Sequence, residues 1–113
     1  MRRILIAAAL LAFAPGCESG SDNPDVATIV ALSGDATSGE SLYGTHCSSC
    51  HMADGTGNPG LNYPSLVEHA SKETDEEIVA IVLEGEEAMP AFRSQLSDQE
   101  VADVLAYIRA TWG

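Results

Sequence analysis

The stretch Cys47-Ser48-Ser49-Cys50-His51, written CSSCH, decides how the rest of the chain is interpreted. Two cysteines three positions apart, with a histidine directly after the second, are typical of three kinds of site. These are a redox-active dithiol, half of a zinc site, and an attachment site for haem. Because each kind needs different partners elsewhere in the chain, the remaining sequence chooses between them.

The first two kinds of site lack their partners in this sequence. A thioredoxin-like dithiol belongs to an alternating β/α pattern, and no strand pattern of useful length occurs here. A structural zinc site takes four ligands, whereas Cys47, Cys50 and His51 offer three at most. A disulfide closing so short a loop would stabilise little. The motif instead predicts one haem c, with thioether bonds to Cys47 and Cys50 and His51 as the proximal iron ligand.

The second axial ligand must come from another part of the chain. Met52 and His46 lie too close to the motif to reach the other face of the ring. His69 lies in a polar stretch, which is typical of a solvated side chain. Met89, in a loop beside a proline, is the best placed soft ligand, although methionine often only fills gaps in a core. Ligation by histidine and methionine raises the haem potential and favours electron transfer.

Signals for helix termini occur on both sides of the motif. Asp35 can cap a helix that runs to CSSCH, and residues 53–64 are rich in glycine and proline and predict a loop. Thr74 and Ser97 each open a capping box before an apolar helix, and the first of these helices ends at Gly85. The predicted fold class is all-α, with three to four short helices wrapped around one covalently bound haem. A domain this small needs such an internal scaffold.

The N-terminal part of the chain predicts export. Residues 1–17 have the two arginines, the short apolar run and the small-residue exit of a signal peptide. The exit resembles a lipobox, so we expect Cys17 to be the lipidated first residue of the mature protein, with ordinary cleavage as the alternative. Residues 18–33 are expected to form a flexible tether, although 26–32 could lie on the domain as an extended strap. The domain itself is expected at 34–113.

The charge of the chain limits its partners. The formal net charge is −12, and all seventeen acidic residues but only three basic ones follow residue 17. Such a charge argues against nucleic acid and anionic lipid as partners. We expect Glu84, Glu86 and Glu87 to lie around the exposed haem edge and to steer a redox partner with a basic docking patch, with plain solubility as the alternative. The acidic residues at 73–77 are explained by the dipole of a helix N-terminus.

Four segments in order make residues 34–112 resemble a small class I cytochrome c. They are GDATSGESLYGTHCSSCH, GNPGLNYPSL, MPAF and LSDQEVADVLAYIRATW. The resemblance implies that Gly39 and Tyr43 in the first helix of the domain pack against Val104 and Tyr107 in the last. The lysine ring of the mitochondrial proteins is missing, and the short spacing from His51 to the predicted methionine ligand implies a trimmed member.

The resemblance also implies how the proximal histidine is held. In the family, its second nitrogen forms a hydrogen bond with a proline carbonyl in the following loop. Pro64 is the matching residue, and Pro59 is the alternative. A hydrogen bond of this kind fixes the imidazole ring and increases its basicity as a ligand.

The function implied is that of a one-electron carrier and not an enzyme, with redox proteins as partners and no small-molecule substrate. We expect it on the periplasmic side of a bacterial membrane, lipid-anchored through Cys17, between respiratory or dehydrogenase partners. Two alternatives remain. The chain could be a fixed haem subunit of a larger oxidoreductase, or a ligand-binding or peroxidatic haem protein in which Met89 is displaced.

Overall fold

Six α-helices account for most of residues 23–113, the part of the chain that the computed structural model describes. Within this part there is no β-strand, only two isolated bridges, and the predicted all-α class is confirmed. The helices are α1 (Pro24–Val30), α2 (Ala36–His46), α3 (Ser48–His51), α4 (Leu66–His69), α5 (Asp75–Glu84) and α6 (Asp98–Trp112). Two 3-10 turns, Pro59–Leu61 and Ala70–Lys72, connect them.

Three helices begin directly after the residues that the sequence analysis identified as N-terminal caps. Asp35 accepts hydrogen bonds from the backbone of the first turn of α2, at 2.9 and 3.2 Å. Thr74 accepts from the third residue of α5, and Ser97 forms a reciprocal capping box with Glu100 at the start of α6. Each cap satisfies backbone donors that have no partner inside the helix. These local interactions fix the ends of the three helices that surround the site.

The packing of α2 on α6 is the central contact of the fold. A side chain at Gly39 would overlap the backbone carbonyl of Asp103 and would come within 2.9 Å of Tyr107 Cβ. The ring centroids of Tyr43 and Tyr107 are 5.4 Å apart. Tyr107 is therefore a neighbour of both predicted residues. For Gly39, the nearest backbone of α6 is that of Asp103 and not of Val104, which is 1% exposed and belongs to the core.

Asp103 also anchors the start of α2. Its carboxylate is buried and accepts hydrogen bonds from the backbone nitrogen of Asp35 at 2.8 Å and from Gln99 Nε2 at 2.9 Å. A buried carboxylate is costly unless it is hydrogen-bonded, so these donors are needed for its burial. The side chain of Asp103 and the close contact at Gly39 thus hold the same helix pair together.

Residues 24–30 form a helix in place of part of the expected flexible tether. They form α1, in which Val26 and Ile29 belong to the core and Ile29 is fully buried. α1 packs against α5 and α6, and Asn23 and Pro24 provide its N-terminal cap and first residue. The prediction of a flexible tether over 18–33 is therefore wrong for these seven residues. Two apolar side chains three positions apart are enough to bury one face of a short helix.

The predictions for the first residues lie outside the described part of the chain. These are the signal peptide at 1–17, lipidation of Cys17, and the tether at 18–22. None of the helices in residues 23–113 combines the length and the apolar character needed to cross a membrane.

Candidate functional site

A cavity of about 450 Å³ lies between α3, α5 and α6 and is bordered by the loops after α3 and α5. This volume is in the range of cofactor and ligand sites in proteins. Most of its wall is apolar and comes from side chains of the core, including Ile78, Val82, Phe92, Val104 and Ile108. Helices far apart in the sequence therefore enclose one site.

The CSSCH motif forms one wall of this cavity. Cys47 caps α3, Cys50 and His51 lie in its single turn, and all three line the cavity. Cys47 and His51 are each 8% exposed, whereas Cys50 is half-buried. Burial, with a smaller effect from the charge of Cys50, raises the pKa of Cys47 to about 11, so its thiol keeps a proton at neutral pH. The two thiols and the imidazole face a common space.

The following loop holds the ring of His51 in place. His51 Nδ1 lies 3.0 Å from the backbone oxygen of Pro64, which can only accept a hydrogen bond. This acceptor selects the tautomer with the proton on Nδ1 and leaves Nε2 available to a metal ion. A pair of backbone hydrogen bonds between Asn58 and Tyr63, at 2.8 and 3.0 Å, shapes the loop. Pro59, the alternative acceptor, is exposed at the start of a 3-10 turn.

Residues 85–92, which we call the Met89 loop, supply another part of the wall. Met89 is partly buried and lines the cavity. The backbone groups of Met89 and Glu86 form two reciprocal hydrogen bonds, at 2.8 and 3.1 Å. Gly85 has φ +75°, and a Cβ there would lie 2.5 Å from the carbonyl oxygen of Met89. The turn is tight because a glycine begins it.

The other residues considered as iron ligands occupy three different places. Met52 lies outside the cavity lining, and its backbone oxygen accepts a hydrogen bond from the Tyr43 hydroxyl. His46 reaches the lining, with its ring edge-on to Phe92 at 6.0 Å between centroids. His69 is exposed, as expected of a solvated side chain, but it also lies at the edge of the cavity.

The acidic residues at the cavity differ from those expected. Glu86 and Glu87 line it, but Glu84 does not and instead accepts a hydrogen bond from Asn23. Glu73 lines the cavity as well, although we assigned it to a helix terminus. Burial, followed by the charges of Glu77 and Glu86, raises the pKa of Glu73. Glu73 and Glu86 are far apart in the sequence, so no local pattern could predict that they meet.

The residues that line the cavity fit a covalently attached haem. Two thiols three positions apart lie beside a histidine with one nitrogen already hydrogen-bonded, and the apolar wall has room for a large planar group. Across residues 23–113, no three His, Cys, Asp or Glu side chains are grouped so as to hold a metal ion by themselves. Haem chemistry is thus the chemistry to which this set of donors is suited.

Comparison with known families agrees with this geometry. The family described as cytochrome c oxidase, cbb3-type, subunit III matches residues 34–108. The match covers α2 to most of α6, and so includes every element that borders the cavity.

Two relatives are similar over most of the chain. A cytochrome c6 from Thermosynechococcus vestitus is 33% identical over 85 residues, which are 72% of this chain and 74% of that protein. The cytochrome c subunit of an alcohol dehydrogenase (quinone) from Gluconobacter oxydans is 32% identical over 111 residues. That match takes in 87% of this chain but only 23% of the subunit. One relative is of comparable length, and the other is much longer.

A solved structure has the same fold. The cytochrome c6 of the diatom Phaeodactylum tricornutum aligns with a TM-score of 0.56 and 34% sequence identity. The alignment covers 68% of this chain and 93% of the diatom protein. Nearly all of that protein thus corresponds to one contiguous domain here.

Proposed function

The chain belongs to the class I c-type cytochromes, in the family described as cytochrome c oxidase, cbb3-type, subunit III. On this premise we propose that it is an exported one-electron carrier with His51 and Met89 as axial ligands. Proteins of this class transfer electrons through a covalently bound haem c. This chain contains one motif for attaching such a haem. The bound haem supplies an iron that alternates between the ferrous and ferric states.

One observation carries the assignment of the residues: Cys47, Cys50, His51 and Met89 line the same apolar cavity. In the proposal, the two cysteines bind the haem covalently, His51 coordinates the iron through Nε2, and Met89 provides the thioether sulfur. Pro64 keeps the imidazole ring oriented through its contact with Nδ1 at 3.0 Å. An apolar wall and a methionine ligand both favour the ferrous state.

The proposal is tested by absorption spectra of the purified holoprotein in both redox states, with matched methionine variants. Met89→Ala should convert a six-coordinate low-spin iron to one that is open to ligands such as CO. Met52→Ala, which removes a methionine outside the cavity lining, should leave the spectrum unchanged. A six-coordinate spectrum that survives in Met89→Ala but is lost in His69→Ala would assign the ligand to His69. Reaction of the wild type with CO or peroxide would instead favour a ligand-binding or peroxidatic protein.

A second candidate function is that of a fixed haem subunit in a larger oxidoreductase. It is favoured by the family description and by the similarity to a dehydrogenase cytochrome subunit. The two functions differ in the size of the native particle. In size-exclusion chromatography of solubilised membranes or of the soluble fraction, a carrier should elute at the size of a single small chain. Co-elution of its haem with a large oxidoreductase, at a fixed ratio of subunits, would support the second function.

We also propose that acidic residues at the cavity steer a basic partner. Glu86 and Glu87 support this proposal because both are exposed and line the cavity. Electron transfer to cationic hexaammineruthenium should be slower in Glu86→Lys than in wild type, and its dependence on ionic strength should be weaker. Glu40→Lys, an equal change of charge on the exposed face of α2, is the control. If the two variants had equal effects, the steering proposal would be wrong, and these glutamates would serve only solubility.

Export and lipid anchoring through Cys17 are supported by the sequence pattern of residues 1–17. A lipidated Cys17 would tether the domain to the periplasmic side of a membrane. Mass spectrometry of the N-terminus measures this directly: a diacylated cysteine is expected in wild type and must be absent from Cys17→Ser. A mature N-terminus at another residue, without lipid, would contradict lipid anchoring and indicate ordinary signal-peptide cleavage.

A further inference from the structure

The Met89 loop is held by few interactions of its own. Its internal hydrogen bonds join Met89 to Glu86, whereas its ends are held by further backbone bonds. Gly85 donates to Ile81 of α5 at 2.7 Å, and the buried Phe92 donates to Val82 at 2.9 Å and accepts from the two backbone nitrogens of residues 95 and 96. Most of its other residues are exposed. Exposed segments with few buried contacts open at a lower free energy than the core. The position of Met89 must therefore depend on the two segments at which the loop begins and ends.

Arg93 fixes the end of this loop. Its guanidinium group lies 2.7 Å from Asp25 Oδ2 through Nη2 and 2.7 Å from Asp98 Oδ1 through Nη1. Asp25 is in the first turn of α1, and Asp98 is the first residue of α6. The planar fork of an arginine can engage two carboxylates at once in a fixed geometry. Arg93 thus joins the last residues of the loop to two helix N-termini.

Helix α1 also contacts the segment where the loop begins. Asn23, the cap of α1, donates a hydrogen bond of 3.4 Å to Glu84, the last residue of α5. Ile29 is fully buried and Val26 is nearly so, which fixes α1 on the domain. One short helix, outside the part of the chain that the family comparison matches, therefore touches both ends of the Met89 loop.

We propose that Asp25 and Arg93 are positioning residues that keep the Met89 loop closed on the iron. The inference rests on the proposed function, because it takes Met89 as the axial ligand. A thioether is a weak ligand that an external base can replace when the loop opens. An ion pair at the end of the loop makes the closed conformation more populated, and the external base then has less access.

The test is the binding of imidazole to the ferric, full-length holoprotein, followed by absorbance. Asp25→Asn should increase the apparent affinity for imidazole about two- to fivefold, the effect expected for a partly exposed ion pair. Arg93→Gln should act in the same direction, and the double variant should not exceed Arg93→Gln by much, because that change already removes the ion pair with Asp25 together with the one to Asp98.

Asp75→Asn is the matched control. Asp75 is also a first-turn carboxylate in a 2.7 Å contact with an arginine, but its partner Arg109 donates to the backbone oxygens of Ala70, Glu73 and Gly113 and not to the Met89 loop. Its imidazole affinity should equal that of wild type, even where the unfolding midpoints of both variants fall. An equal change in Asp25→Asn and Asp75→Asn, or no change in either, would overturn the inference.

The same titration separates this inference from the proposed function. If Met89→Ala does not alter the spectrum or the imidazole affinity, the ligand assignment itself is wrong. If Met89→Ala alters both and Asp25→Asn alters neither, the ligand assignment stands and only the role of Asp25 and Arg93 fails.

Discussion

Two glycines of α2 should respond in opposite directions to the same substitution. Gly39 faces α6, where a Cβ would overlap the carbonyl oxygen of Asp103 and lie 2.9 Å from Tyr107 Cβ. At Gly44, in the same helix, a Cβ would have no heavy atom within 4 Å. Because alanine is the better helix former, Gly44→Ala should stabilise the protein by about 0.5–1 kcal/mol.

Gly39→Ala gains the same helix propensity but must separate α2 from α6. The overlapping atom belongs to the backbone of a helix, so no side-chain rotation can make room. Overpacking of this kind costs roughly 1–3 kcal/mol. Separation also lengthens the 2.8 Å hydrogen bond from Asp35 to Asp103, which costs about 1 kcal/mol more if it breaks. We therefore expect Gly39→Ala to destabilise the protein by about 1–3 kcal/mol after the helix gain is included.

Thermal and denaturant unfolding of the two holoproteins measures this difference. For a domain of this size, 1 kcal/mol shifts Tm by about 4–8 °C, so the two variants should differ by roughly 6 °C or more. The covalently bound haem remains on the chain in the unfolded state and does not add a binding equilibrium to the measurement. A Gly39→Ala variant as stable as Gly44→Ala would refute the close contact between α2 and α6.

Two further predictions concern the cavity and its support. Glu73→Gln should raise the reduction potential, by an amount on the order of tens of mV, because a carboxylate that lines the cavity stabilises the ferric state. The pKa of Glu73 is raised by burial, so the reduction potential of the wild type should fall as the pH increases through that pKa. Voltammetry should detect this fall in the control variant Glu40→Gln but not in Glu73→Gln. Tyr43→Phe should cost about 1 kcal/mol in denaturant unfolding with no change in the haem spectrum, since it removes only the hydrogen bond to the Met52 carbonyl.

Features set by local interactions could be predicted from the sequence. Asp35, Thr74 and Ser97 were recognisable as helix caps because a cap bonds to backbone groups two or three residues away. The spacing of Cys47 and Cys50 reflects the chemistry of one group and needs no knowledge of the fold. These signals were sufficient for the fold class and for the cofactor.

Features that depend on tertiary contacts could not be predicted in the same way. The helix α1, PDVATIV, is mostly apolar but too short to show a helical period, and burial of Val26 and Ile29 against the domain supplies its stability. Glu73 reaches the cavity only because the 3-10 turn before it packs against α6. The burial of Asp103 in α6 is made possible by a hydrogen bond from the backbone nitrogen of Asp35, 68 positions earlier, which no local pattern indicates.

The apolar wall of the cavity also bears on the stability of the polypeptide without its haem. Its wall is built largely from core side chains of α5 and α6, so without a bound group this apolar surface lacks packing partners and contacts water. A domain this small has little stability to spare, so we expect the haem to contribute to the packing of the fold as well as to its chemistry.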